Sequence, residues 1–135
     1  MTQKNFDVQS VGIARPAAAV FSFIAVPENL SIWTNAFKSA DASSAVMETP
    51  GGSVTITLET TADAATGIVD WKMTFPDGAV ANAYSRITPN GNDEAVYSFV
   101  LMAPPVPLEM LEGALGAQKA ILAEELLLLK AILEK

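Results

Sequence analysis

Three turns, Pro50-Gly51-Gly52-Ser53, Pro76-Asp77-Gly78-Ala79 and Pro89-Asn90-Gly91-Asn92, cut the middle of this chain into alternating strand-like segments. A single long amphipathic segment follows, from about Pro107 to Lys135. This order constrains the fold more than any other feature, because a tight hairpin loop fixes register and register fixes which side chains share a face. With Asp77-Gly78 as a two-residue loop, Trp71 faces Tyr84, Met73 faces Asn82, and Val69 faces Arg86. With Asn90-Gly91 as the next loop, Tyr84 faces Tyr97, Asn82 faces Phe99, and Arg86 faces Ala95. Both expectations gather Trp71, Tyr84, Tyr97 and Phe99 on one face, with Asp70, Lys72, Thr74, Ala81, Ala83 and Ser85 on the other. A three-residue loop at Asp77-Gly78-Ala79 would instead bring Ala81, Ala83 and Ser85 beside Trp71. A large aromatic inner surface under a helix reads as a ligand cavity.

The rest of the chain fits a sheet that needs such a lid. Phe6 to Ala14 reads as a first strand, with a change of parity that predicts a bulge near Gln9-Ser10. Pro16 suits a first helical turn, Val20, Phe21 and Ile24 recur at helical spacing, and Pro27 stops the helix. Glu28 to Phe37 is expected to be a second short helix carrying Trp33. Strands are expected at Phe37–Thr49, Ser53–Thr61, Gly67–Phe75, Ala79–Thr88 and Asp93–Met102. With Gly51-Gly52 as a turn, Met47 pairs with Ile56 and Ala45 with Leu58. In the last helix Leu108, Leu111, Leu115, Leu122, Leu126, Leu129 and Leu133 fall on one side at 100° per residue. Gln118 and Glu125 interrupt that apolar arc, and Leu127 stands alone on the polar one.

Composition removes whole classes of chemistry. The chain has 135 residues, one domain's worth, spanning 1–135 without a repeat of fixed period. Its net charge of −7 argues against nucleic acid and against anionic membranes, both of which call for Lys and Arg. There is no Cys and no His, hence no disulfide framework, thiolate nucleophile, Ser-His pair or imidazole ligand. No cofactor motif is found and no metal is expected. Thr49-Pro-Gly-Gly-Ser53 lacks the Gly-Lys-Ser/Thr of a phosphate loop, and Asn90-Gly-Asn-Asp-Glu94 lacks calcium-loop spacing. Val11 to Val26 imitates a secretion signal, but Arg15 and Pro16 interrupt it, and a strand leading into a helix explains it better. No run reaches the ~18 apolar residues of a spanning helix, so a cytoplasmic protein is expected.

The stretches Ile13-Ala-Arg-Pro16, Val20-Phe-Ser-Phe-Ile24, Pro27-Glu-Asn29 and Trp33 resemble the opening segment of START/polyketide-cyclase-like (SRPBCC) proteins. Tyr84-Ser-Arg-Ile-Thr-Pro-Asn-Gly91, Tyr97-Ser-Phe99 and the final helix are similar to that family's last hairpin and lid. The resemblance implies an α+β helix-grip fold: a curved antiparallel sheet of six or seven strands wrapped around the C-terminal helix, with two short helices after the first strand. A seventh strand is not evident, unless it is hidden near Ala40–Glu48.

Three functions remain open. The first is binding of an apolar or aromatic, lipid- or polyketide-like small molecule between sheet and last helix. Trp33, Trp71, Met73, Tyr97, Phe99, Met110 and Leu122 would wall the cavity, and Asn82, Tyr84, Arg86 and Gln118 would orient a polar end. The second is a cyclase- or dehydratase-like enzyme in which Tyr84 or Tyr97 donates to an enolate, Arg86 holds charge and Glu125 moves the proton, its pKa raised by burial. The third is a cavity-poor protein-interaction module. Leu127, within four consecutive leucines, could mark a homodimer contact. For the aromatics the competing reading is a packed core, for Arg86 a solvent-exposed strand end, and for Glu125 a wet helix end.

Overall fold

The structure, a computed structural model, describes residues 6–49, 52–102 and 108–135, the side chains of Thr49 and of residues 108–117 excepted. Seven antiparallel strands form one sheet: β1 (Phe6–Ile13), β2 (Phe37–Ala40), β3 (Ser44–Thr49), β4 (Gly52–Asp63), β5 (Ile68–Thr74), β6 (Val80–Pro89) and β7 (Ala95–Met102). Their spatial order is β1-β7-β6-β5-β4-β3-β2, so the first strand closes back onto the last. Helices α1 (Ala17–Ile24) and α2 (Leu30–Trp33), with a 3-10 turn at Pro27–Asn29 between them, lie between β1 and β2; α3 (Leu108–Leu133) ends the chain.

Local chemistry sets these boundaries. The Pro16 carbonyl accepts the N–H groups of Ala19 and Val20 at 3.0 and 3.1 Å and starts α1. Pro27 opens the 3-10 turn, where its missing N–H costs nothing. Helix α2 is shorter than Glu28–Phe37, and Phe37 opens a strand. The expected strand Phe37–Thr49 is two strands, because the Asp41 carboxylate accepts the N–H groups of Ser43 and Ser44, each at 2.9 Å, and reverses the chain. That reversal supplies the seventh strand. No bulge interrupts β1, which pairs continuously with β7 from Phe6↔Met102 to Ile13↔Ala95. Asp7, Val11 and Ile13 therefore face inward, while Phe6 and Val8 are exposed.

Hairpin registers decide the inner surface, and three differ from expectation. In the first, Ala45 meets Ile56 and Met47 meets Val54, two residues away from the expected pairs. An even slip leaves every side chain on its face. In the second, Phe75 and Ala79 bracket a three-residue loop, Pro76-Asp77-Gly78, with Gly78 at φ 90° and the Asp77 carboxylate accepting the Ala79 N–H at 2.9 Å. Trp71 then faces Ala83 and Met73 faces Ala81. In the third, the Asn90 N–H donates to the Glu94 carbonyl at 2.9 Å across Gly91-Asn92-Asp93, and Gly91 takes φ 79°. Tyr84 then faces Val100, Ser85 faces Phe99, and Ile87 faces Tyr97. Both slips are odd, so β6 alone turns over.

The core lies on the concave face, where Ile56, Leu58, Val69, Trp71, Tyr97 and Leu129 are buried along with Trp33. The C-terminal half of α3 is fastened to β1 by polar contacts as well as by leucines. Gln9 Nε2 donates to the Lys119 carbonyl at 3.0 Å, Lys130 Nζ to the Gly12 carbonyl at 2.8 Å, and the Ala14 N–H to Glu134 Oε2 at 2.8 Å. Leu127 is 63% exposed on the outer side of the helix.

Candidate functional site

Alternation along β4, β5 and β7 brings Thr60, Trp71, Met73, Tyr97 and Phe99 to the concave face, and α2 adds Trp33. The rings touch in series. Trp33 meets Tyr97 edge-on at 6.2 Å between centroids, Tyr97 meets Phe99 edge-on at 6.4 Å, and Phe99 stacks on Trp71 at 6.3 Å. From α3, Leu122 closes over the core, and Gln118 is half-buried on the same side of the helix. The side chain of Met110 lies outside the described residues.

Four polar atoms in this wall are buried and meet no partner with hydrogen-bond geometry among the described residues: Trp33 Nε1, Thr60 Oγ1, Trp71 Nε1 and the Tyr97 hydroxyl, although the Ser85 hydroxyl lies close enough to Tyr97 to act on its titration. Each group can donate, and the two indoles can only donate. A buried donor left without an acceptor costs about 1–3 kcal/mol. Native interiors carry a few such atoms per ~100 residues; the four found among the described residues all belong to this aromatic wall. Burial drives the Tyr97 hydroxyl far above the usual phenol range. The adjacent Ser85 side chain moderates that shift and the Asp70 carboxylate adds to it. Tyr97 is therefore a neutral donor at every physiological pH.

Three residues expected here are elsewhere. Asn82, Tyr84 and Arg86 sit on the convex face because β6 is turned over, and Tyr84 is 42% exposed. In their place β6 presents Ala81, Ala83, Ser85 and Ile87. Ala83 stands opposite Trp71 and Ala81 opposite Met73, where Tyr84 and Asn82 were expected. Ser85, expected in solvent, is buried; its hydroxyl donates to the Val69 carbonyl and its N–H to Asp70 Oδ1 at 3.1 Å. Thr60 escaped sequence reasoning altogether, although its place opposite Trp71 follows from the β4–β5 pairing.

Glu125 is half-buried. Its Oε2 accepts the Asn35 N–H at 2.5 Å and ties the segment after α2 to α3. Burial raises its pKa, and the Asn35 hydrogen bond works in the other direction. Among the described residues no group of three or more acidic side chains is arranged to hold a metal ion, and no helix is long and apolar enough to cross a membrane.

No family model matches this chain, and no curated protein matches it. Solved structures do. A START superfamily protein from Mycobacterium smegmatis is 17% identical and superposes with a TM-score of 0.69 over 97% of this chain and 98% of its own. The Zhui aromatase/cyclase from a Streptomyces species is 12% identical, with a TM-score of 0.66 over 96% of this chain and 93% of its own. The fold is the START-like helix grip. A truncated norcoclaurine synthase from Thalictrum flavum, 14% identical, shares it over 100% of this chain and 99% of its own at a TM-score of 0.65. Sequence similarity this low carries the helix grip across and leaves the chemistry to the residues of this chain.

Proposed function

We propose that this single helix-grip domain binds a small molecule with an apolar, largely aromatic body and hydrogen-bond acceptor oxygens, held between the concave face and α3. The observation that carries this reading is the set of four unpartnered donors set in a wall of rings. Trp71, Tyr97 and Phe99 supply surface for stacking, and burial of apolar area contributes about 25 cal/mol per Å². Carbonyl or hydroxyl oxygens on the ligand would satisfy Trp33 Nε1, Trp71 Nε1, Thr60 Oγ1 and the Tyr97 hydroxyl, and Gln118 would meet a further polar group. The wall contains no charge among its described residues, so the ligand's buried part is neutral.

Solved structures of the same fold include proteins described as aromatase/cyclases, which is consistent with a ring-forming or ring-bearing ligand. For a cyclase-like enzyme, the alternative reading, Tyr84 and Arg86 face away from the wall, which leaves Tyr97 of the two expected tyrosines. Glu125 remains as the base and Tyr97 as a neutral donor. The half-buried position of the Glu125 carboxylate, which raises its pKa, supports this reading.

Native mass spectrometry of the freshly purified, full-length protein tests the binding reading. A defined added mass, released on denaturation and diminished in Tyr97→Phe, is the expected result. A chain that always flies at its bare mass, and whose tryptophan fluorescence is unmoved by flat, oxygen-bearing aromatics, overturns it. Turnover of such a compound, lost in Glu125→Gln with binding retained, would transfer the assignment to the enzyme reading.

A further inference from the structure

We propose that the groove between α1 and the β4–β5 turn is a second binding site, for a small organic monoacid whose carboxylate meets Arg86 and whose apolar body lies along α1. The groove has a volume of about 290 Å³. Its walls are mostly carbon: Ala17, Ala18 and Phe21 from α1, and Ile87 and Pro89 from β6. Arg86 is the one cationic side chain among the residues that line it.

The groove is built rather than incidental. In the turn, the Gly67 N–H donates to the Asp63 carbonyl at 2.8 Å and the Ala65 N–H to Asp63 Oδ1 at 3.0 Å. The turn is then stitched to β6 by the Ile87 N–H, which donates to the Gly67 carbonyl at 2.8 Å. Gly67 adopts φ 78°, and a Cβ there would stand 2.1 Å from the Ile87 carbonyl oxygen, so only glycine allows this approach. The floor is therefore fixed before any ligand arrives.

Arg86 is tethered through one nitrogen and has donors to spare. Its Nε donates to the Thr66 carbonyl at 3.1 Å, which sets the plane of the guanidinium. The two terminal nitrogens have no protein partner among the described residues, and no carboxylate there forms an ion pair with them. Asp70, which borders Arg86 on the convex side, is engaged by the Ser85 N–H. A fork of free N–H donors fits a carboxylate, and charge-assisted pairs of this kind are roughly twice as strong as neutral ones. The neighbouring end of α1 has the same electrostatic sign: no side chain caps it and its first turn holds no acid. One cation fits one negative charge, and walls of methyl groups and a phenyl ring fit a hydrocarbon body better than a hydrated phosphate. Because the whole chain carries −7, only a local cation of this kind can recruit an anion.

The probe is 3-phenylpropionate, titrated into the isotopically labelled full-length chain and followed by amide chemical shifts. Saturable shifts at Ala17, Ala18, Gly67 and Ile87 are expected, with 3-phenylpropionamide about tenfold weaker and inorganic phosphate producing no saturable change. Arg86→Gln should weaken the acid about tenfold and leave the amide unchanged, while Ala18→Leu, which fills the groove, should abolish both. Equal affinity for acid and amide in the wild-type chain overturns the proposal without recourse to any variant. Shifts that gather instead at Trp33, Trp71 and Phe99 also overturn it, since they place the acid at the concave wall.

Discussion

The concave wall under α3 and the groove beside α1 are both lined mainly by carbon, yet their polar atoms face opposite tasks. The wall offers neutral donors sealed among rings, where a charge would lose its hydration without compensation. The groove offers one guanidinium at an open edge, where water still shares the work of solvating an anion. Ring-dense neutral surface selects by shape and by hydrogen-bond acceptors; an alanine-lined cleft with a cation selects by charge. On the readings proposed above, the two surfaces would take different ligands.

The comparison breaks most visibly at Trp33, which is 1% exposed and packs edge-on against Tyr97. Trp33→Ala should cost about 3–5 kcal/mol in urea unfolding, the range for large aromatics removed from a core. It should also abolish binding at the wall and leave Arg86-dependent binding of 3-phenylpropionate intact below the unfolding transition. Loss of both activities in a chain still folded by circular dichroism would mean that wall and groove are one site.

Gly67→Ala is the reciprocal change. The new Cβ would collide with the Ile87 carbonyl at a positive φ, and the expected cost is about 2–3 kcal/mol. Binding of the acid should fall sharply while ligand binding at the wall persists. A variant as stable as wild type would show that the turn is looser than its hydrogen bonds indicate.

Tyr97→Phe sharpens the meaning of the unpartnered donors. Removing a buried hydroxyl that has no acceptor should leave the free protein unchanged or more stable by up to about 1 kcal/mol, whereas ligand affinity should drop about two- to tenfold. A clear destabilisation of the free protein would show that the hydroxyl already has a partner.

Glu125 gives the pH dependence. Its folded-state pKa is raised above the ordinary value of 4.5, so its ionisation is disfavoured in the native state. Its contribution is most favourable below the unfolded pKa and erodes as pH rises through the folded one. Glu125→Gln should flatten the stability profile across that window, as measured by denaturant midpoints at several pH values. Asp41 and Glu134 run in the opposite direction. Their pKa values are lowered, Asp41 by the backbone N–H groups of Ser43 and Ser44 and Glu134 by Lys130, and their support is lost as pH falls. A profile in Glu125→Gln identical to wild type would remove the best base from the enzyme reading.

The smallest effect is expected at Leu127. With 63% of its surface exposed, Leu127→Glu should change stability by less than about 0.5 kcal/mol. If the outer face of α3 joins two copies, the same variant converts a dimer to a monomer on sizing chromatography; a monomeric wild type leaves Leu127 an ordinary surface residue.

The sequence by itself determined the order of most elements, the antiparallel sheet and the inward Leu122, Leu126 and Leu129 of α3, because Pro and Gly punctuation and apolar periodicity are local properties; Leu108, Leu111 and Leu115 lie outside the described side chains. It also placed Trp71, Tyr97 and Phe99 together, and for an instructive reason. Trp71 faces Ala83 rather than Tyr84, a slip of one, and Tyr84 faces Val100 rather than Tyr97, a slip of three. Two odd slips cancel between β5 and β7, so those strands kept their relation while β6 alone reversed. The seventh strand was hidden because one Asp41 side chain, not a Pro-Gly pair, makes its turn. Only the tertiary structure decided which face of β6 joins the wall, that Glu125 holds the Asn35 N–H, and that Arg86 borders a groove beside α1. Loop length sets strand parity, and a single residue more or less in a turn costs too little locally to be read from composition; the packing of whole faces selects between the two.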